Sequence, residues 1–237
     1  MRALAAADML MLWERGVTRH PIDRAALLAA AARPDLAPDA IADLPLGAVT
    51  AGQLGLRTAI FGPRIAGHVD CAHCGDRLEL ALDAGNLLQP EPASLDDTSP
   101  RVVEIEGRRL RAPCLRDLAA VAGETDADQA ARKLLELCIL SGEGEPVGDG
   151  ALRAMEDALE AIDPNADLEM ELRCDACGHQ SVAELDVGAL LWDEIAAYAQ
   201  RLLHEVHLLA RAYGWSEAEI LALSPARRAS YLALVGA

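Results

Sequence analysis

The chain has 237 residues, 38 acidic against 21 basic side chains and a formal charge of −17, with 52% apolar residues but only 3% aromatics. Nucleic-acid phosphate needs a basic surface and unstacked bases need aromatic platforms, so a net-acidic chain with one Phe, three Tyr and three Trp disfavours a nucleic-acid partner. An Ala- and Leu-rich mix favours helices over a β-sandwich; no apolar run reaches the ~18 residues of a membrane span, and Met1-Arg2-Ala3-Leu4 lacks a secretory signal's apolar core, so a cytoplasmic protein with no membrane partner is expected.

Taken in order, residues 1–66 read as helices divided by proline. Leu4, Met9, Leu12 and Trp13 lie on one face of a first helix that stops near Gly16. Pro21 opens a second, ended by Pro34, and Pro38 a short third, closed before Pro45. A fourth is expected over about Leu46 to Phe61, although Gly52 and Gly55 weaken that pattern, and Phe61-Gly62-Pro63-Arg64 then breaks the chain.

Next comes Cys71-Ala72-His73-Cys74-Gly75, repeated 103 residues later as Cys174-Asp175-Ala176-Cys177-Gly178. Leu82, Asp83, Gly85, Leu87 and Leu88 recur at the same offset as Leu185, Asp186, Gly188, Leu190 and Leu191. Two residues between cysteines let both sulfurs face one point, and the following glycine admits a positive φ that turns backbone N–H groups toward them. Alternating strands at Leu78, Leu80 and Leu82 and at Leu168, Met170 and Leu172 place the pairs in hairpins rather than in the strand-to-helix setting of a redox CxxC. Residues 67–88 and 168–188 are thus expected to form a split zinc ribbon in which Cys71, Cys74, Cys174 and Cys177 bind one Zn2+. Four thiolates leave no position for a reacting water, so the ion should be structural. Arg77 and Arg173 are expected to offset its negative ligand shell, with His73 and His179 outside the first coordination sphere.

Residues 89–167 read as an inserted subdomain, entered through a proline-rich linker over 89–100. Val103, Ile105 and Leu110 around Glu106-Gly107 suggest a hairpin, followed by helices near Leu115 to Val121, Ala127 to Leu140 and Ala151 to Ile162. The loop 141–150 is glycine-rich but acidic and without lysine, which reads as a connector rather than a phosphate cradle. Cys138 lies in an apolar run and reads as packing, while Cys114 carries no assigned role.

Residues 189–237 form the last segment. Leu191, Ile195, Tyr198, Leu202, Val206, Leu209 and Tyr213 step by three or four residues along one long helix, from about Ala189 to Tyr213. That stripe packs either on the amino-terminal helices or, through Leu202, Val206, Leu209, Tyr213 and Trp215, on a partner protein. His204-Glu205-Val206-His207 has its histidines three apart, where zincin chemistry needs four. Gly214 ends the helix, Ser216 with Glu219 caps the next, and Ser224-Pro225 opens the last. The whole is an α+β chain, mostly helical.

The run from His204 through Trp215-Ser216-Glu217 to Arg228, ending in Tyr231-Leu232, resembles the baseplate hub assembly chaperone family of T-even-type contractile phages and bacterial extracellular contractile injection systems. The likeness extends to Trp13-Glu14-Arg15-Gly16, Phe61-Gly62-Pro63-Arg64, both CxxCG motifs and Leu190-Leu191-Trp192; it is weakest in the insertion. Paired cysteines do not define the phage members, which places this chain nearer the injection-system branch. The resemblance implies a non-enzymatic assembly chaperone whose partners are baseplate hub or spike proteins. The alternatives are a zinc-ribbon nucleic-acid-binding regulator and a metal-dependent hydrolase using His204, Glu205 and His207.

Overall fold

Proline sets the amino-terminal helices. In the computed structural model, which describes residues 4–90, 98–105, 107–142 and 149–235, α1 (Ala6–Gly16) is followed by α2 (Pro21–Ala32) and α3 (Pro38–Ala42), both with proline in the first turn, where its missing N–H costs nothing. The proline-rich linker and the acidic loop expected from sequence fall largely on 91–97 and 143–148, outside the described residues.

Helix α4 (Leu46–Phe61) runs unbroken despite its glycines. A Cβ at Gly52 would meet the Ala32 Cβ at 3.6 Å, an ordinary contact, so the packing of α4 on α2 does not itself require glycine there. At its start Pro45 offers no side-chain cap. The cap comes instead from Asp163, whose Oδ2 accepts the Gly47 N–H at 3.0 Å from 116 residues away. Gly47 is required there, because a Cβ would come within 2.0 Å of Asp163 Oδ1.

Two antiparallel hairpins follow the repeat. Strand β1 (Arg64–Asp70) pairs with β2 (Arg77–Asp83), and β6 (Glu169–Arg173) with β7 (Gln180–Glu184). Between them the insertion holds a three-stranded sheet, ordered β3 (Val102–Ile105), β4 (Arg108–Arg111), β5 (Ile139–Ser141), together with α5 (Leu115–Val121), α6 (Ala127–Cys138) and α7 (Asp149–Ile162). Here the sequence expectation needs correction: α6 stops at Cys138 rather than Leu140, since Ile139 leaves the helix to pair with Leu110. The insertion has its own core of Leu110, Leu135, Cys138, Met155 and Leu159. It is tied to the amino-terminal helices by Leu115, buried among Ala29, Ile41, Leu44 and Val49, and by Arg116 Nε on Asp43 at 2.7 Å. Buried Asn165 closes its two ends, accepting the Gln89 N–H at 2.7 Å and donating to the Gln89 carbonyl at 3.1 Å.

Helix α8 (Val187–Tyr213) is 27 residues long, about 40 Å at 1.5 Å per residue, and is followed by α9 (Glu217–Leu221) and α10 (Pro225–Val235). It starts two residues before the expected Ala189 because the Asp186 Oδ1 accepts the Ala189 N–H at 2.8 Å, and it ends at Gly214, φ 70°. Its stripe is internal. Leu191, Trp192 and Ile195 pack with Met9, Leu12, Leu28 and Leu56; Leu202 with Leu10 and Ala199; Val206 and Leu209 with Ile220. Burying each such leucine contributes about 2–3 kcal/mol. A Cβ at Gly16 would lie 2.4 Å from the Trp192 ring, so α1 must end in glycine for that indole to fit. Arg57 on α4 fixes the same helix with two hydrogen bonds to Glu194, at 3.0 and 2.7 Å.

Candidate metal centre

Each CxxCG turn folds on itself by the same backbone bonds. The Cys71 N–H donates to the Asp76 carbonyl and the Gly75 N–H to the Cys71 carbonyl, both at 2.8 Å; the matching bonds in the second turn are Cys174 N–H to His179 O at 2.9 Å and Gly178 N–H to Cys174 O at 2.8 Å. Gly75 and Gly178 have φ of 74° and 73°, the left-handed conformation that a side chain disfavours. Local sequence therefore makes each turn, and tertiary packing has only to bring the two together.

That packing comes from the repeat itself. One core cluster contains Ile65 and Leu168, Leu82 and Leu185, Ala84 and Val187, Leu87 and Leu190, four pairs of residues at the same 103-residue offset, closed by Leu54 of α4. At the hairpin tips Cys71 Sγ lies 3.8 Å from Cys177 Sγ, and Cys74 Sγ lies 3.6 Å from Cys174 Sγ. All four sulfurs fall within 4.8 Å of one another, a cage that can hold one metal ion. Tetrahedral metal–thiolate bonds of about 2.3 Å imply sulfur–sulfur edges of about 3.8 Å, which the 3.6 and 3.8 Å separations between the hairpins match.

The sulfurs are not equivalent. Cys71 and Cys174 are buried, while Cys74 and Cys177 face solvent. Backbone N–H groups of Cys74 and His73 aim at Cys71 and pull its thiol down to about 6. Cys74 feels an opposing pull from the Asp76 N–H, but Cys177, burial and the other two sulfurs outweigh it and push the thiol up to about 12. Cys71 is thus drawn toward the thiolate, while Cys74 and Cys177 are pushed away from it by burial and by hydrogen bonds among the sulfurs.

Among the flanking groups, the arginine expected to face the sulfurs has a partner of its own. Arg77 pairs with Asp70 at 3.6 Å, both on the exposed strand ends, so a carboxylate shares the charge expected to face the sulfurs. His73 and His179 stack on each other, with ring centroids 5.5 Å apart, and neither belongs to the four-donor group. Glu205 is held by the buried Arg228, whose Nε donates at 2.9 Å, while His204 and His207 are exposed; among the described residues these three make no metal-type cluster. Of the five side chains considered for partner docking, Leu202, Val206 and Leu209 are inside the protein, which corrects that reading for them: their apolar surface is already covered by α1, α9 and the rest of α8. Tyr213 is 38% exposed and half-buried Trp215 stacks on it at 4.7 Å, with Tyr231 edge-on to both.

Two buried polar clusters escape a reading of the sequence. Arg101 pairs with Asp163 under the start of α4. Cys114 takes a role at the start of α5: Asp117 Oδ2 accepts its N–H at 3.0 Å and its thiol at 3.1 Å, and Arg111 clamps the same carboxylate at 2.6 and 2.8 Å. Burial works against ionisation of Asp117, but the Arg111 guanidinium and Cys114 outweigh it and hold the carboxyl below its usual range. The three-residue spacing of Cys114 and Asp117 before an apolar helix is a readable capping-box signal; no local signal marks Asp163.

No protein-family model matches the chain, and neither a curated protein nor a solved structure does. No helix among the described residues is long and apolar enough to cross a membrane.

Proposed function

We propose that this chain is a non-enzymatic assembly factor for the baseplate hub of a contractile, phage-tail-like injection system, built on a split zinc ribbon with one structural Zn2+. The cage geometry carries the metal half of this reading: sulfur separations of 3.6 and 3.8 Å suit zinc–thiolate bonds, and four thiolates complete the tetrahedron with no position left for a substrate or water. When bound, the ion supplies charge neutralisation and folding energy rather than chemistry. Cys71 and Cys74 belong to one hairpin and Cys174 and Cys177 to the other, so the ion would cross-link segments on either side of the insertion. The assembly half rests on the resemblance carried by His204 to Arg228, Trp13 to Gly16 and Phe61 to Arg64, and on a surface charge that discourages non-specific association.

Metal analysis tests the first half: one zinc per chain, lost in Cys174→Ser, is expected, and iron or no metal in the unaltered protein overturns it. Co-expression with the hub and spike subunits of a contractile system tests the second. The chain should co-purify with one of them, and failure to associate with any baseplate subunit overturns the assembly reading.

A further inference from the structure

A cavity of about 340 Å3 opens at the base of the second hairpin, where α2, α4, α5 and the first turns of α8 converge. Its floor is apolar, formed by Ile22, Val49, Leu115, Val187 and the face of Trp192. Its rim is acidic: Asp167, Glu184, Asp186 and Asp193 are all exposed, and among the described residues none of them is in an ion pair. One cation, Arg24, lies at the edge. Its guanidinium sits 4.8 Å over the Trp192 ring and donates to the carbonyls of Gly16 and Val17 at 3.0 Å each, so it serves the end of α1. Asp167, Glu184 and Asp193, with the helix-capping Asp186, therefore line an apolar hole that has one guanidinium beside it.

We propose that this cavity docks an extended segment of a partner protein in which an apolar side chain is flanked by lysine or arginine. At about 340 Å3 the hole is at the lower end of ligand-site volumes, the size for one or two anchoring side chains. The apolar anchor covers the floor, and the flanking cation meets carboxylates that would otherwise be desolvated without a counter-charge. A second copy of this chain is a poor occupant, because it brings its own charge of −17 to an acidic rim. The site is remote from the sulfur cage in function and does not depend on which metal fills it or on the assembly in which the chain works.

The test uses the full, metal-loaded chain and three peptides: Gly-Leu-Lys-Leu-Arg-Gly, its charge-reversed form Gly-Leu-Glu-Leu-Glu-Gly, and the anchorless Gly-Ser-Lys-Ser-Arg-Gly. The readout is the NMR signal of the Trp192 indole N–H, assigned with Trp13→Phe and Trp215→Phe variants. The first peptide should shift that signal saturably and the other two should not. Reversing the rim with Glu184→Lys and Asp193→Lys should weaken the first peptide at least about tenfold. Equal shifts from the serine peptide would mean that any cation suffices, and equal shifts from the glutamate peptide that any apolar group does; either result, or no shift from any peptide, overturns the proposal. Should the double variant fail to fold, the three-peptide comparison on the unaltered chain still decides.

Discussion

The two hairpins end in the same Leu-Asp followed by glycine, Leu82-Asp83 and Gly85 in one, Leu185-Asp186 and Gly188 in the other, yet the chain leaves them differently. After β2, Asp83 Oδ1 accepts the Gly85 N–H at 2.9 Å and the chain makes a single 3-10 turn, Ala84–Asn86. After β7, Asp186 also caps, its Oδ1 accepting the N–H three residues on, from Ala189, and the chain continues helically for 27 residues. The cap is thus common to both and cannot set the length. The residues beyond the cap set it: Pro90 lacks an N–H and pushes Gln89 out of the helical region, whereas no proline intervenes between Asp186 and Pro225. An aspartate starts a helix, and the next dozen residues decide whether there is one.

The equivalence of the two copies can be broken by substitution. The largest effect is expected at the cage: on the proposed zinc reading, Cys71→Ser and Cys174→Ser should each abolish metal binding and lower the melting temperature by more than about 10 °C, because metal affinity would then be folding energy. Metal content and thermal melts check this, and a large loss from one but not the other would show that the hairpins share the ion unequally. Next come the paired core residues. Ile65→Ala and Leu168→Ala, both buried in the same cluster, should each cost about 2–4 kcal/mol by denaturant unfolding, with the double variant losing a different amount from the sum because the cavities adjoin.

The caps separate the copies where the cores do not. Asp186→Ala should cost about 1 kcal/mol, since it frays α8, while Asp83→Ala should cost only a few tenths, since its turn has little to fray. A similar loss at both positions would mean that the aspartates act through something other than the helix they begin. The last comparison lies outside both hairpins and is read in pH dependence. Asp117 has a folded pKa held below its unfolded value of about 3.9, so its contribution is present above that pH and disappears as pH falls through the folded value. Asp117→Asn should flatten the acid limb of the stability profile below about pH 4, leaving the neutral limb parallel to that of the unaltered chain.

Much of this fold is legible residue by residue, and the exceptions are instructive. Helix α4 and the start of α5 match their expected bounds because proline and apolar spacing are local signals. The CxxCG turns are legible for the same reason, their bonds running no further than from Cys71 to Asp76. Strand β5 is hidden because Ile139 and Leu140 continue the apolar pattern of α6; only their pairing with β4, almost thirty residues earlier, makes them a strand. The Ile65–Leu168 pair is hidden because the residues differ in type, although they share the offset of the repeat. Asp163 gives no hint at all, since Gly47 and Arg101, which it binds, are distant in the chain. The docking role considered for Leu202 and Leu209 fails because a periodic stripe says that a surface is covered but not by what.

The split cage also has a consequence in time. A ribosome moving at about 5–20 residues per second delivers Cys71 and Cys74 roughly 5–20 s before Cys174 and Cys177. For that interval the nascent chain has only one of the two cysteine pairs, and the insertion must be synthesised whole before the second pair emerges. Ordering of the insertion can begin early, but the hairpin that completes the sulfur cage is made last, so the first pair of thiols waits without its partners while 89–167 is synthesised.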